Sequence, residues 1–346
     1  MSEARVTDKK LNAEYAAVRD GGVGLIDLSG RGRISVSGSE AVMFLNGLIT
    51  NDVKTLGENR WMPAAFPNVQ GRLLAAVRVI RRRDDILLDT EAVTREKVLK
   101  LIGRFTLAGD FKVADLTQDT RQISFQGRSA GDLLEKIFGV KDLSRDGVWQ
   151  DENVTIIRAT HTGEDGFDVI GAVPAVDEAV AVVSPEVEEI LRIEAGIARY
   201  GVDMDETNVV TETNLDDAVS YTKGCYLGQE IIVRIKHRGH VAKKLTGLRF
   251  EADETAARND TRTADIPDTV RPGGDLAIRP GAAIKSPDDK EIGRVTSITF
   301  SPKLQATIGL GYVRYEYLTP DTPIIVNNIA GIVQSLPLIR GSWYER

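Results

Sequence analysis

The hydrophobic positions in the first third of the chain change period several times, and each change marks a predicted element. Positions 8–19 and 39–49 repeat apolar residues at helical spacing, with Ser37 or Ser39 as the candidate cap of the second helix. A third helix is predicted over 91–106. Runs with strand character lie between these helices, at 32–37, 60–66, 72–80 and 86–89. This order predicts an α+β unit with its helices on one face of an antiparallel sheet.

The second segment of the chain shows the same kinds of period in a similar order. Strand-like runs cover 121–126, 154–159 and 166–171, and helical spacing covers 130–138, 173–182 and 185–198. Pro185 suits the first turn of the last helix. We therefore predict two halves of similar architecture, although their residues show no obvious repeat, with a central site between them.

The last third of the chain changes character. Residues 251–274 hold almost no large apolar side chain, so we predict a mobile surface insertion there. Five short runs around it alternate like strands and indicate a small β-barrel: 245–250, 282–285, 291–300, 306–313 and 323–327. The predicted fold class is α+β, with two ferredoxin-like halves over 1–115 and 116–244 and a C-terminal β-barrel over 245–346.

Length and composition are typical of a soluble protein with several domains. At 346 residues and 37.8 kDa, the chain exceeds what one ordinary hydrophobic core supports. No apolar run reaches the ~20 residues of a membrane helix, and the polar N-terminus lacks the apolar core of a secretion signal. The single cysteine excludes an internal disulfide and suits a reducing compartment, so we expect a cytoplasmic protein.

The net charge of −7 argues against non-specific binding to nucleic acid, which requires Lys and Arg to neutralise phosphates. We therefore expect no direct nucleic-acid partner and no membrane partner. The charge is uneven, however, because residues 223–244 contain six basic side chains and one acidic side chain. Such a segment would attract an anionic ligand, although runs of this kind are usually solvated faces.

Several common sites are missing from the sequence. Gly30-Arg31-Gly32 precedes a strand and lacks the third glycine of a dinucleotide fingerprint, and no P-loop motif occurs. Cys225, His237 and His240 share one segment, but they lack the paired spacing and the fourth ligand of a zinc site. We therefore predict no resident metal ion, and one cysteine cannot supply the four thiolates of an iron–sulfur cluster.

The candidate for chemical reactivity is the cysteine within the octapeptide Lys223-Gly224-Cys225-Tyr226-Leu227-Gly228-Gln229-Glu230. A thiol reacts as its thiolate, and a nearby ammonium favours that form, so Lys223 is the candidate activator. Gly224 and Gly228 allow a close approach of the backbone to a ligand. The alternative is a cysteine that packs as a small apolar residue, and the residues alone leave both interpretations open.

This octapeptide resembles the signature of the YgfZ proteins, a folate-binding branch related to the glycine cleavage T-protein, an aminomethyltransferase. Three further segments extend the resemblance over nearly the whole chain. Residues 192–203 resemble the shared folate-site segment, residues 162–167 a second shared loop, and residues 291–297 the C-terminal barrel motif. The resemblance implies a T-protein-like folate-binding domain built from the two halves and followed by the barrel.

The resemblance also implies tetrahydrofolate, or a derivative of it, as the cofactor, bound between the halves. The matching glutamate of the T-protein bonds the amino-pyrimidine edge of folate, so Glu194 is the candidate pterin ligand. The alternative for Glu194 is a salt bridge to Arg192 or Arg199. Arg234 is the candidate partner of the glutamate tail of folate. The other candidate folate contacts are Tyr226, Gln229 and Arg72, and the candidate catalytic residues are Cys225 and Lys223.

The chain departs from the transferase at one loop. Aminomethyltransferases carry a Gly-Gly-x-x-Asp-Asp loop whose aspartate orients the folate and assists the transfer. The matching segment, 71–77, has Ala75 and Ala76 at the two aspartate positions. Because a methyl group neither accepts a proton nor hydrogen-bonds a pterin, an acid–base contribution of ~10²–10⁴-fold would be missing.

This departure and the cysteine motif favour a function of the YgfZ type. We expect a folate-binding accessory protein for the assembly or repair of iron–sulfur enzymes. Its partners would be iron–sulfur client enzymes or assembly factors, and Cys225 would exchange with a thiol or sulfur species on them. An effect on tRNA modification would be indirect. The alternative is a folate-dependent aminomethyltransferase in which another group replaces the aspartates.

Overall fold

The computed structural model describes residues 3–104, 106, 109–176, 180–250 and 278–345, so the predicted insertion at 251–274 lies outside the described residues. The helices are α1 (Glu3–Arg19), α2 (Ala41–Leu48), α3 (Arg95–Gly103), α4 (Ala130–Phe138), α5 (Pro185–Glu194) and α6 (Gln229–Arg238). The strands are β1 (Gly24–Asp27), β2 (Gly32–Ser37), β3 (Arg60–Pro67), β4 (Leu73–Arg81), β5 (Ile86–Thr90), β6 (Lys112–Asp115), β7 (Arg121–Gln126), β8 (Val148–Gln150), β9 (Val154–Arg158), β10 (Gly166–Gly171), β11 (Ala181–Val182), β12 (Lys243–Phe250), β13 (Ala283–Lys285), β14 (Glu291–Ser301), β15 (Ala306–Arg314), β16 (Pro323–Val326) and β17 (Ile329–Gln334).

The first half is a five-stranded antiparallel sheet in the order β3-β4-β5-β2-β6. Side chains alternate between its two faces along each strand. On β4, Val77 and Val79 join the core that α2 and α3 cover, together with the fully buried Leu45 of α2. The opposite face of β4 carries Arg78 and Ile80. This second face turns away from the helices and toward the other half.

The second half is a six-stranded sheet in the order β11-β1-β7-β10-β9-β8. All neighbours in it are antiparallel except β11, which runs parallel to β1. Helix α4 packs on one face of this sheet. The other face meets the first sheet through an apolar cluster that contains Ile80 and Leu87 of the first half and Ile157 and Ile170 of the second. The two sheets therefore bury one face each against the other.

The N-terminal segment belongs to the second half in space. Strand β1 pairs with β7, and α1 packs against α5 through a cluster that contains Tyr15, Val18 and Leu191. The boundaries 1–115, 116–244 and 245–346 stay a prediction, and this segment crosses the first of them. The cause is the apolar face of α1, which finds its partner in α5 more than 160 positions later.

The C-terminal segment forms a closed barrel in the order β12-β15-β14-β13-β16-β17. The predicted barrel is confirmed, but the sequence pattern missed β17, whose pairing with β12 closes the ring. An apolar cluster attaches the barrel to the end of α5 through Ile193, Leu245 and Leu310. Beside it, Asp203 accepts hydrogen bonds from Arg192 and from the barrel hydroxyls of Thr296 and Ser297.

The structure confirms the predicted α+β class and corrects several local predictions. The helix predicted over 173–182 is wrong, because 173–176 are irregular and Ala181–Val182 form an edge strand. Helix α6 was not predicted. Neither serine caps α2, which starts after Glu40, since Ser39 bonds Asp110 instead. Among the described residues, none of the helices combines the length and the hydropathy required to cross a bilayer.

The core of the first half provides a test of the packing. Leu45→Ala should lower the free energy of unfolding by about 2–5 kcal/mol, because it removes a fully buried side chain and leaves a cavity. Met43→Ala is the matched control on the same helix, since Met43 is 53% exposed, and it should change stability by less than about 0.5 kcal/mol. Urea unfolding measures both. Equal losses for the two variants would contradict this placement of α2.

Candidate functional site

The face shared by the two sheets changes from apolar to charged along its length. Next to the apolar layer, Arg78 of β4 reaches across to Asp168 of β10, with 2.5 Å between Nη1 and Oδ2. His161, from the loop before β10, lies beside this pair, with its Nε2 at 3.0 Å and 3.1 Å from the two carboxylate oxygens of Asp168. Gln122 of β7 donates to Asp168 at 3.3 Å. We call Arg78, His161 and Asp168 the central triad.

The ionised state of the central triad follows from its surroundings. Asp168 is fully buried, and burial by itself would raise its pKa. The interactions with His161 and Arg78 outweigh that effect and hold the pKa of Asp168 far below its usual range. Asp168 is therefore a carboxylate that only accepts hydrogen bonds, and its two contacts of 3.0 and 3.1 Å favour a proton on Nε2 of His161 over the longer 3.2 Å contact of that atom with Arg78 Nη2.

Further charges of the first half continue the central triad. Asp89 of β5 is fully buried and lies 3.4 Å from Arg78 Nε. Its other oxygen accepts a hydrogen bond from Arg31 Nε at 2.7 Å, and Arg31 also bonds Glu91 at 2.5 Å. Each buried charge thus has an opposite charge beside it, which is the condition for burying ions at all.

The structure explains what the two alanines do. Ala75 is fully buried in the core under the helices, whereas Ala76 lies on the opposite face, the one that carries Arg78. There Ala76 packs against an apolar cluster that contains Tyr200 and Tyr226. Position 76 therefore lies between this tyrosine cluster and the central triad, on the surface that the two halves share.

Glu194 has its acceptor positions filled by the protein. Its Oε1 accepts from Tyr15 at 2.8 Å and from Ser301 at 2.5 Å, and its Oε2 lies 2.9 Å from Nε and 2.8 Å from Nη2 of Arg19. Neither Arg192 nor Arg199 pairs with it. Arg19 also donates a hydrogen bond to Glu164, which lies in the loop at 162–167. The folate role of Glu194 stays a prediction, because a pterin would have to replace one of these partners.

The octapeptide lies against the turn that precedes β4. Gly228 has φ +77°, and a Cβ on it would come within 2.2 Å of the backbone oxygen of Asn68. The close approach that this glycine permits is therefore to the protein's own turn. Gly224 has open space around it, and Cys225 is exposed.

Lys223 binds the end of a helix. Its Nζ donates to the backbone oxygens of Asn46, Ile49 and Asn51 at 2.7, 2.9 and 2.6 Å, at the C-terminus of α2. A cation is favoured there, because the last carbonyls of a helix carry partial negative charge. Burial lowers the pKa of Lys223 to about 8. These contacts stabilise the fold, and the activation of Cys225 by Lys223 stays a prediction.

The other predicted folate contacts are spread over a larger surface. Tyr226 is buried, and its hydroxyl has no hydrogen-bonding partner among the described residues. Burial, with the neighbouring Tyr221 adding to it, raises the pKa of Tyr226 to about 12. Gln229 donates to the backbone of Lys223 at 3.4 Å, and Arg72 bonds the backbone oxygen of Thr207. Arg234 is half exposed on α6 and pairs with Glu230 at 3.4 Å. These roles also stay predictions.

The sequence reasoning missed the central triad. A signal was present, since Arg78 interrupts the apolar run of β4 and Asp168 interrupts that of β10. A charge at an alternating position of a buried strand requires a partner, but the pattern does not say which one. No group of three or more His, Cys, Asp or Glu side chains suited to a metal ion occurs within the part of the chain that the structure describes.

Comparison with known proteins gives consistent results over nearly the whole chain. The family model for the GCVT N-terminal domain matches residues 2–223, and that for the glycine cleavage T-protein C-terminal barrel domain matches residues 269–334. A protein of Rubrobacter xylanophilus named aminomethyltransferase is 32% identical over 336 residues, 91% of this chain and 83% of its own. One of the same name from Thermotoga neapolitana is 26% identical over 352 residues, 95% of this chain and 89% of its own.

A solved structure agrees with the fold. The crystal structure of the glycine cleavage system aminomethyltransferase T from Bartonella henselae matches with a TM-score of 0.81 and covers 96% of this chain and 90% of its own. At 22% sequence identity this match concerns the fold alone. It supports the predicted arrangement of two α+β halves and a barrel.

These comparisons correct the predicted function. The prediction of an iron–sulfur accessory protein is wrong, since the similar curated proteins are named aminomethyltransferase. The predicted iron–sulfur client enzymes and assembly factors are wrong for the same reason, and the indirect effect on tRNA modification falls with them. The absence of two aspartates is a local difference, whereas the similarity to aminomethyltransferases extends over 91% of the chain.

The contacts of Lys223 lead to a prediction about Cys225. Lys223→Met should lower the free energy of unfolding by about 1–3 kcal/mol, because three carbonyls at the end of α2 lose a buried donor. In this variant, the rate at which iodoacetamide alkylates Cys225 at neutral pH should not fall below the wild-type rate. Lys54→Met, an exposed neighbour, is the matched control for stability. A clear fall in the alkylation rate of the Lys223 variant would restore the activating role of this lysine.

Proposed function

Because the chain belongs to the glycine cleavage T-protein family, we propose that it is a folate-dependent aminomethyltransferase. The observation that carries this proposal is the 32% identity, over 91% of the chain, to a protein of that name. The substrate would be an aminomethyl group held on the sulfur of a lipoyl carrier, and the carrier would be another component of the glycine cleavage system. Tetrahydrofolate would supply the amines that accept the one-carbon unit.

Features of the shared face fit a flat ligand of the pterin type. The tyrosine cluster around Ala76 provides an apolar wall, and the buried hydroxyl of Tyr226 lacks a hydrogen-bonding partner among the described residues. A buried hydroxyl without a partner costs free energy, which a polar atom of a ligand would recover. The central triad lies on the other side of Ala76. A ligand seated at Ala76 would therefore contact an aromatic surface and approach a charged one.

The YgfZ branch stays a finer prediction within the family. This prediction rests on the octapeptide at 223–230 and on Ala75 and Ala76. Membership of this branch does not imply the iron–sulfur accessory function. Under the proposed function, Cys225 is an exposed thiol whose catalytic role stays a prediction. The exposed Arg234 remains the candidate contact for the glutamate tail of folate.

The proposed function can be tested directly. Purified protein, mixed with tetrahydrofolate and an aminomethyl-loaded lipoyl carrier protein, should form methylene-tetrahydrofolate and ammonia in equal amounts. Omission of tetrahydrofolate or of the loaded carrier should abolish both products. Absorbance and an ammonia assay measure them. If purified protein that binds tetrahydrofolate forms no methylene-tetrahydrofolate, the proposed function is wrong.

The unpartnered hydroxyl provides a test of where folate binds. Tyr226→Phe should weaken tetrahydrofolate binding by roughly 2- to 12-fold, corresponding to a lost hydrogen bond of about 0.5–1.5 kcal/mol. The same variant without ligand should be at least as stable as the wild type, since it removes a buried hydroxyl that has no partner among the described residues. Tyr312→Phe is the matched control, because Tyr312 also buries an unpartnered hydroxyl but in the barrel cluster. Calorimetry measures binding, and equal affinities for all three proteins would place the ligand elsewhere.

A further inference from the structure

The transferase chemistry needs a group that moves protons, and the two alanines cannot supply one. We propose that His161 is the general base and acid of the transfer, oriented by Asp168, in place of the missing aspartates. This inference rests on the proposed function. It assigns a catalytic role to the loop before β10, on the opposite half of the molecule from Ala75 and Ala76.

The first argument is the orientation of the imidazole. Because Asp168 is buried and ionised, it holds Nε2–H of His161 at 3.0–3.1 Å. A neutral imidazole with a proton on Nε2 has its free lone pair on Nδ1. A buried carboxylate that fixes the tautomer and the orientation of a histidine is the arrangement by which serine hydrolases prepare their base.

The second argument is the accessibility of the other ring nitrogen. No described residue hydrogen-bonds Nδ1 of His161, and this atom is not among the buried polar atoms that lack a partner. The side chain keeps 12% of its surface accessible. Nδ1 is therefore the atom through which the ring can reach solvent or a substrate, while the rest of the side chain is held by the protein.

The third argument is position. Ala76 and Arg78 lie on the same face of β4, two residues and thus roughly 7 Å apart along the strand. The guanidinium of Arg78 lies 3.2 Å from Nε2 of His161, at Nη2, and it pairs with Asp168 through Nη1. His161 thus contacts, from the other sheet, the side chain of the residue that lies two positions along β4 from Ala76 on the same face. Arg78 is a positioning residue, since it holds the carboxylate that orients the ring.

The proton balance of the transfer defines what His161 does. Two carbon–nitrogen bonds form to the accepting amines, and the carbon–sulfur bond and the carbon–nitrogen bond of the aminomethyl group break. The departing nitrogen and the sulfur each keep the electron pair of their broken bond. The two protons lost by the accepting amines end on ammonia and on the thiol. His161 accepts the first proton at Nδ1 and returns it to the departing nitrogen.

The test compares His161→Ala with His237→Ala, an exposed histidine on α6 outside the shared face. His161→Ala should bind tetrahydrofolate normally but form methylene-tetrahydrofolate about 10²–10⁴-fold more slowly. The pH dependence of the rate should differ between the wild type and this variant, because the variant lacks the group that exchanges the proton. Added imidazole should restore part of the lost rate, and His237→Ala should behave like the wild type.

Two other measurements test the inference without relying on the activity of the His161→Ala variant. Nitrogen-15 NMR of the His161 ring should show the proton on Nε2, and Asp168→Asn, if folded by circular dichroism, should shift it toward Nδ1 and slow the transfer. A proton on Nδ1 in the wild type would overturn the inference. The inference would also be overturned if His161→Ala transfers the group at the wild-type rate, or if its slow transfer is not accelerated by added imidazole. In those cases an active wild type still upholds the proposed function, whereas an inactive wild type overturns both.

Discussion

The desolvated ion pair between Arg78 and Asp168 is the interaction on which the arrangement of the two halves depends. Burying an ion costs several kcal/mol, and the cost is offset only when its partner is in place with good geometry. Arg78 comes from one sheet and Asp168 from the other, so this pair forms only when the two sheets are packed together. The apolar layer around Ile80 and Ile170 supplies the attraction between the sheets, and the ion pair selects one relative position.

The same arrangement gives the shared face its chemical character. Along β4, the tyrosine cluster around Ala76 is followed by Arg78 and then by the apolar layer around Ile80. A charged strip bordered by apolar surface is a place where water is limited and where electrostatic interactions act strongly. On this face the first half has the methyl group of Ala76, and the second half provides His161 and Asp168 beside Arg78.

Glu194 shows the same principle at the junction of three parts of the chain. It receives hydrogen bonds from α1 through Tyr15 and Arg19 and from the barrel through Ser301, while it belongs to α5 itself. A buried carboxylate with filled acceptor positions connects these elements and favours one mutual orientation. The residue that family resemblance marks for ligand binding is thus also a structural connection, and the two roles compete for the same oxygens.

The sequence by itself determined the elements with a regular period, including most strands of the first half and most of the barrel, because one buried face imposes that period on neighbouring residues. It also indicated the relation to the glycine cleavage T-protein, through short segments in a fixed order. Only the tertiary structure decided that β1 pairs with β7 and not with the next strand in the sequence, that β17 closes the barrel, and that Lys223 binds the end of α2. The pairing of Arg78 with Asp168 and His161 belongs to the same group. Arg78 lies 90 positions from Asp168 and 83 from His161, and a sequence pattern records that a charge needs a partner but not which distant residue supplies it.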